Sequence, residues 1–254
     1  MLRSVKDFHR YHIMATDGEI GKADDLLFDD REWRLHHLVV DTGHWLPDRK
    51  VLIPPSELGE PDGVLHTFPV NLTKQQIEDS PTIDTDEPVS RQHEAKLFEY
   101  YGLQPYWVSG ITGGAFPPAI YPADEEAGQE QEESTGNKSE EDASDPHLRS
   151  TNEVEGYHIR AADDEVGHIE DFIIDDHTWI IRYLVVDTRN WLPGRLILVA
   201  TSWITGVSWD ESRVYVSLTK DAIEKSPEWD PSQPVNRKYE EVLFDYYGRP
   251  RYWK

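Results

Sequence analysis

Two aspartates stand at the mouth of a loop, each at the end of an apolar run. Asp41 closes "LVVD" and opens "TGHWLPDR"; Asp187 closes another "LVVD" and opens "TRNWLPGR". An aspartate at a strand end can act as a general base when an imidazole shares its neighbourhood. His44 meets that need in the first phrase, but the second has Asn190 at the same place, so the two phrases share no Asp-His pair. Backbone chemistry explains both. Asp and Thr at a loop mouth can bond the loop's own free backbone amides. Arg49 and Arg195, at the far side of the loops, bring opposite charge across a hairpin. The residues therefore predict structural loop pairs, Asp41 with Arg49 and Asp187 with Arg195, each aspartate bonding its loop or its arginine.

Metal chemistry finds little support. His36 and His37 are adjacent, and neighbours on a strand point to opposite faces, so both cannot bind one ion from a regular strand. The second phrase offers Arg182 and Tyr183 there, and solvated strand faces are the expectation. The doublets Asp24-Asp25 and Asp29-Asp30 lack the spacing of a calcium loop and fit turns. The chain has no cysteine, which removes disulfides, thiolate sites and cysteine nucleophiles. It also lacks a phosphate loop, a nucleophile elbow and a zinc-helix motif. No catalytic, cofactor-binding or metal-ligating residue is assigned, no cofactor is expected, and the chain is not expected to be an enzyme.

The elements that position these residues come in duplicate. Shifted by 146, the sequence overlays itself without a gap from Tyr11–Trp107 onto Tyr157–Trp253, with about 42 identities over 97 pairs. A period this long means two copies of one domain rather than a solenoid. The copies are assigned to residues 1–107 and 151–254, joined by a linker over 108–150. Its stretch 119–150 is acidic, Gly/Ser-dotted and almost free of apolar residues. Such a segment cannot bury enough surface to offset its ordering entropy, so a disordered spacer is expected.

Within the first copy, strands are expected over 11–15, 20–28, 33–41, 50–53 and 64–70, with Asp17-Gly18 and Asp62-Gly63 marking turns. Gly21 reads as a bulge or a close approach. Thr73 and Gln76 fit a capping box for a helix over 74–78, which Pro81 stops. Ser90 and Gly102 fit the caps of a helix over 91–101; Asn236 and Gly248 repeat them. Leu97, Phe98 and Tyr101 make its apolar stripe. In the second copy, 213–216 alternates cleanly as a strand.

With these elements placed, the sequence resembles PRC-barrel proteins, the family named for the cytoplasmic domain of the photosynthetic reaction-centre H subunit. The matching stretches are ATDGEIGKADDLLFDD, HHLVVDTGHWLP and KVLIPPSEL in the first copy. In the second they are AADDEVGHIEDFIIDDHTWIIRYLVVDTRNWLP and RLILVATSWI. The LTKQQIEDSP and VSRQHEAKLFEYYG segments resemble the extension of stand-alone bacterial members. The resemblance implies a mainly β fold with short α-helices: two tandem small PRC-type β-barrels, each followed by a helical extension. It implies docking to other macromolecules and brings no catalytic motif. The transmembrane helix of the H subunit has no counterpart here.

Charge and aromatics narrow the function. With 49 acidic and 25 basic residues, the formal net charge of −24 opposes binding to phosphate backbones and anionic lipid. No apolar stretch approaches a membrane span and the N-terminus lacks a signal core, so a cytoplasmic protein is expected. Six of the nine tryptophans pair between copies: Trp33 with Trp179, Trp45 with Trp191, Trp107 with Trp253. Trp33 and Trp107 are expected to seal a barrel. Trp45-Leu46 and Trp191-Leu192 sit on short loops stiffened by proline and are candidate interaction residues, for a pseudo-twofold contact between copies or for a protein partner. The expected function is a non-catalytic interaction or adaptor module, with self-association open. The alternatives are a hydrolase using an Asp/His pair and a maturation factor linked to RNA.

Overall fold

Strands form where the apolar alternation places them, and in both copies they also begin earlier. The computed structural model describes residues 1–9, 11–47, 49–81, 91–103, 148–188 and 195–253, side chains of 91–95 excepted. The first copy runs β1 (Leu2–Ser4), α1 (Val5–Phe8), β2 (His12–Ala15), β3 (Gly18–Asp29), β4 (Arg34–Asp41) and β5 (Lys50–Ile53). A 3-10 turn at Pro55–Glu57, β6 (Thr67–Pro69), α2 (Lys74–Glu78) and α3 (Arg91–Tyr101) complete it. The second runs β7 (Leu148–Ser150), α4 (Thr151–Val154), β8 (His158–Arg160), β9 (Glu165–Asp175), β10 (Ile180–Asp187) and β11 (Leu196–Ala200). A 3-10 turn at Thr201–Trp203, β12 (Ile204–Ser208), β13 (Arg213–Val216), α5 (Lys220–Glu224) and α6 (Arg237–Tyr247) follow.

Local chemistry sets most of these bounds. Thr73 and Gln76 form both halves of a capping box on α2. Asn236 caps α6 through the Tyr239 N–H at 3.0 Å, and Gly248 ends it at φ 60°, in the left-handed region. At Gly21 the ladder of β2 on β3 slips by one residue, and a Cβ there would stand 2.0 Å from the Asp41 carbonyl oxygen. Only glycine lets β3 come this close to the end of β4. One expected strand is mostly absent. Asp62 Oδ1 accepts the Val64 and Leu65 N–H groups at 2.8 and 2.9 Å, which folds 63–66 into a turn and leaves only Thr67–Pro69 as strand.

The described strands do not make two separate closed barrels. Thirteen of them join one open sheet in the order β12-β13-β8-β9-β10-β4-β3-β2-β6, with β5 on β4, β11 on β10, β1 on β9 and β7 on β3. The expected mainly β fold with short helices is present, but its strands form one open sheet rather than two tandem closed barrels. The copies join through the arms β1 and β7, each of which adds to the long strand of the other copy, and through β4 beside β10. The expected linker boundary also moves, because Leu148–Ser150 is a strand. The rest of the segment expected to be disordered, and the helix cap at Ser90, lie outside the described residues.

Both copies feed one apolar cluster. It includes Phe8, Phe28, Trp33, Phe68, Phe172, Ile174, Tyr183 and Phe244. A smaller cluster of Val39, Leu52 and Leu97 holds α3 against the outer face of β4 and β5. That face is therefore covered rather than solvated: His37 is buried there with its ring 6.1 Å from that of Phe98 on α3, and His36 beside it is buried as well. Among the described residues no helix is long and apolar enough to cross a membrane.

Candidate functional site at the seam between the copies

The arms cross as a matched pair. Leu2, Arg3 and Ser4 lie opposite Asp175, Ile174 and Ile173, while Leu148, Arg149 and Ser150 lie opposite Asp29, Phe28 and Leu27. Adding 146 to the first-copy residues of one set and subtracting it from the second-copy residues gives the other, so a pseudo-twofold axis relates the copies. It passes where β4 meets β10, with Arg34 opposite Ile180. There the Leu35 N–H donates to the Trp179 carbonyl and the Ile181 N–H to the Trp33 carbonyl, both at 2.7 Å. Trp33 and Trp179 each adopt φ 55°, a left-handed conformation that bulky residues avoid. Their indoles stack on Phe28 and on Phe68 at 5.1 and 5.8 Å. Trp179 of the second copy thus seals the core of the first.

Each arm is latched by an aspartate of the other copy. Asp171 accepts the Ser4 hydroxyl at 2.5 Å and the Lys6 N–H at 3.1 Å. Asp25, its repeat partner, accepts the Ser150 hydroxyl at 2.5 Å, the Thr151 hydroxyl at 2.8 Å and the Asn152 N–H at 3.1 Å. Burial pushes the Asp171 carboxyl up, against the pull of these hydrogen bonds. Outside the latch, Arg3 pairs with Asp176 at 2.5 Å and Arg149 with Asp30 at 3.4 Å. The N-terminal ammonium also contacts Asp176. Burial works against ionisation of Asp176, but bonds from the ammonium and Arg3 outweigh it and hold its carboxyl below the usual range. The acidic doublets are therefore turn caps and latches: Asp29 takes the Arg31 and Glu32 N–H groups of its own turn at 2.8 and 2.9 Å. Sequence reasoning missed the arms, although Leu2-Arg3-Ser4 recurs as Leu148-Arg149-Ser150 at the same offset of 146.

At the loop mouths, Asp41 Oδ1 accepts the Gly43 N–H at 2.8 Å. Arg49 does not turn to Asp41; it donates to the Glu78 and Ser80 carbonyls at 2.7 and 2.6 Å, where α2 ends. Arg195 does the same to the Glu224 and Ser226 carbonyls after α5. The expected charge pairing across the loop thus gives way to a clamp on each short helix, because free C-terminal carbonyls sit within reach of a planar guanidinium. Thr42 closes its loop through the Leu46 and Arg49 carbonyls at 2.7 and 2.5 Å. Asp187 is buried at the end of β10, directly opposite His168 on β9. Trp45 is half-buried against the core, with the Lys74 ammonium 5.4 Å over its ring. Leu46 is half-buried. Trp191 and Leu192 lie outside the described residues, as does Trp107. The described pairings between copies are made by the arms and by Trp33 and Trp179, not by the Trp45 loop.

Two buried polar groups sit under the long helices. Burial, and then His36, push the His37 imidazole down to about 3, so it is neutral at ordinary pH. In the second copy Tyr183 holds that place and donates to Glu240 of α6 at 2.7 Å. Tyr252 donates to the same oxygen at 2.6 Å, and Arg237 pairs with the other at 2.9 Å. This network fixes α6 and the chain end on the sheet, with Trp253 5.0 Å from Phe244. Where a metal is concerned, the described residues bring one mixed group together: ligand atoms of His168, Glu170 and Asp187 lie within 4.8 Å of one another.

Compared with known proteins, residues 147–223 match the family model described as PRC-barrel domain. The match begins with the β7 arm and ends in α5, wholly within the second copy. No curated protein matches the chain.

Proposed function

We propose that the chain is a non-catalytic adaptor: two PRC-type copies fused and latched into one rigid platform that docks a protein partner. The observation that carries this reading is how the polar residues common to both copies are spent. Asp25 and Asp171 latch the arms, Arg49 and Arg195 clamp helix ends, and Asp41 caps its own loop. None of these groups is left over as a shared acid, base or nucleophile. The PRC-barrel match over the second copy supports the same reading, and the internal repeat extends it to the first.

The docking candidates we assign to the first copy are two separate features: the half-buried Trp45-Leu46 loop beside Lys74, and the exposed tip at Val64 and Leu65 near Arg3 and Tyr11. Val64 is 88% exposed and Leu65 69% exposed, whereas the second copy has Asp210 and Glu211 there. Large side chains left in water forgo about 1.5–3 kcal/mol each relative to burial. Trp191 and Leu192 are the matching candidates in the second copy. The net charge of −24 disfavours nucleic acid as the partner. The test uses the full chain as bait and compares wild type with a variant carrying Trp45→Ser, Val64→Ser and Leu65→Ser. A protein retained by wild type and lost by a variant of unchanged fold supports the reading. Retention of the same protein by the variant, or salt-sensitive retention of duplex RNA by wild type, contradicts it.

A further inference from the structure

We propose that His168, Glu170 and Asp187 form a binding site for a first-row divalent transition-metal ion, of which Zn2+ is the representative. His168 and Glu170 are two apart on β9, with Glu170 the extra residue where the β9–β10 ladder slips. Asp187 lies directly across from His168 on β10, buried to 3% exposure. One imidazole nitrogen and two carboxylate oxygens converge within 4.8 Å. A tetrahedral ion bound at about 2.0–2.2 Å needs its ligand atoms roughly 3.4 Å apart. Closing that difference calls for side-chain rotation, for which His168 and Glu170, 30% and 32% exposed, have room.

The repeat supplies an independent argument. The first copy carries Lys22, Asp24 and Asp41 at the three equivalent positions. There the protein provides its own cation: Lys50 on β5 pairs with Asp24 at 3.0 Å, and the hydrogen bond it donates to Asp24 holds Lys50 above its ordinary value despite burial. The second copy keeps both carboxylates but replaces Lys50 by Leu196 and Lys22 by His168. One fixed ammonium is gone, and an imidazole stands where a lysine stood. Lys6 from the first copy's arm reaches Glu170, but at Oε1, 2.8 Å away, while Oε2 faces His168 Nε2 at 3.8 Å. One carboxylate oxygen therefore holds the arm and the other turns toward the imidazole. A mixed nitrogen and oxygen donor set favours zinc-like ions over Mg2+ and Ca2+, which prefer all-oxygen surroundings.

Isothermal titration of the full chain with Zn2+ tests this site. One equivalent should bind with micromolar affinity. His168→Lys installs the residue the first copy carries there and should weaken binding beyond the roughly 10–100-fold typical of losing an outer-shell partner. Asp187→Asn, nearly isosteric, should do the same. His158→Ala, which removes the imidazole beside Glu165 on the adjoining strand, should leave binding intact. Unaltered binding in His168→Lys and Asp187→Asn, or no saturable binding by wild type, overturns the assignment.

Discussion

Replacing Asp171 by alanine removes the latch that holds the first arm on the second copy. The carboxylate accepts three hydrogen bonds: from the Ser4 hydroxyl at 2.5 Å, the Lys6 N–H at 3.1 Å and the Phe172 N–H at 2.7 Å. It is 6% exposed, so little solvent can substitute for it. Three donors left without their acceptor cost about 1–3 kcal/mol each. Against this stands the relief of burying a carboxylate, worth several kcal/mol, which is why its carboxyl is pushed up rather than down. The net loss should be about 2–4 kcal/mol. For a chain of this size that lowers Tm by roughly 4–16 °C. Asp163→Ala is the matched control. Its carboxylate accepts the Lys220 N–H at 2.8 Å, is exposed, and acts within one copy, so its loss should cost about 1 kcal/mol. Thermal unfolding gives the energies. Amide exchange at Lys6 locates the effect: it should accelerate in Asp171→Ala and stay slow in Asp163→Ala. Equal losses in the two variants, with Lys6 still protected, would refute the latch.

Other outcomes follow from the same geometry. Gly21→Ala and Gly167→Ala should each cost more than about 3 kcal/mol, since a Cβ would meet the Asp41 or Asp187 carbonyl oxygen at 2.0 or 2.1 Å; a Tm within about 2 °C of wild type would show that β3 or β9, respectively, can move aside. Alkaline pH should unfold the protein as its covered phenols ionise. Burial is the leading cause that raises Tyr101 and Tyr247 to about 12, and it raises Tyr183 and Tyr239 as well. Unfolded phenols ionise near 10, so their contribution is complete below about pH 10 and is lost as pH rises toward about 12. Phenolate absorbance and loss of fold should therefore appear together, and full ionisation near pH 10 with the fold intact would contradict this.

What the sequence made legible is local. The capping box at Thr73 and Gln76, the left-handed Gly248 and the close approach at Gly21 each depend on a few neighbouring residues, and each shows in the chain as written. The duplication was legible because its copies align without a gap. Strand partners were not. A three-residue arm has no pattern that says which copy it joins, and its repeated Leu-Arg-Ser triplet marks only its existence. His36 and His37 were misplaced for a similar reason: the strand's period says which side chains share a face, but not that α3 covers the outer one. Arg49 sits opposite Asp41 in sequence terms, yet the carbonyls at the end of α2 compete for it and hold it. Convergence of His168, Glu170 and Asp187 depends on the register of β9 on β10, which only the fold fixes.

The exchange of arms is most directly tested by a disulfide, and a chain without cysteine makes the test clean. The Asp176 N–H bonds the Met1 carbonyl at 3.0 Å, so the next pair along this antiparallel ladder, Leu2 with Asp175, is a non-hydrogen-bonded pair with side chains close together. Its Cα separation falls within the range a disulfide spans. The full-length variant with Leu2→Cys and Asp175→Cys should oxidise to a monomer that has lost both free thiols, with one peptide linking the first arm to β9. Thiols that stay free under mild oxidation, or cross-links that form only between chains, would mean that the arm does not lie on the other copy.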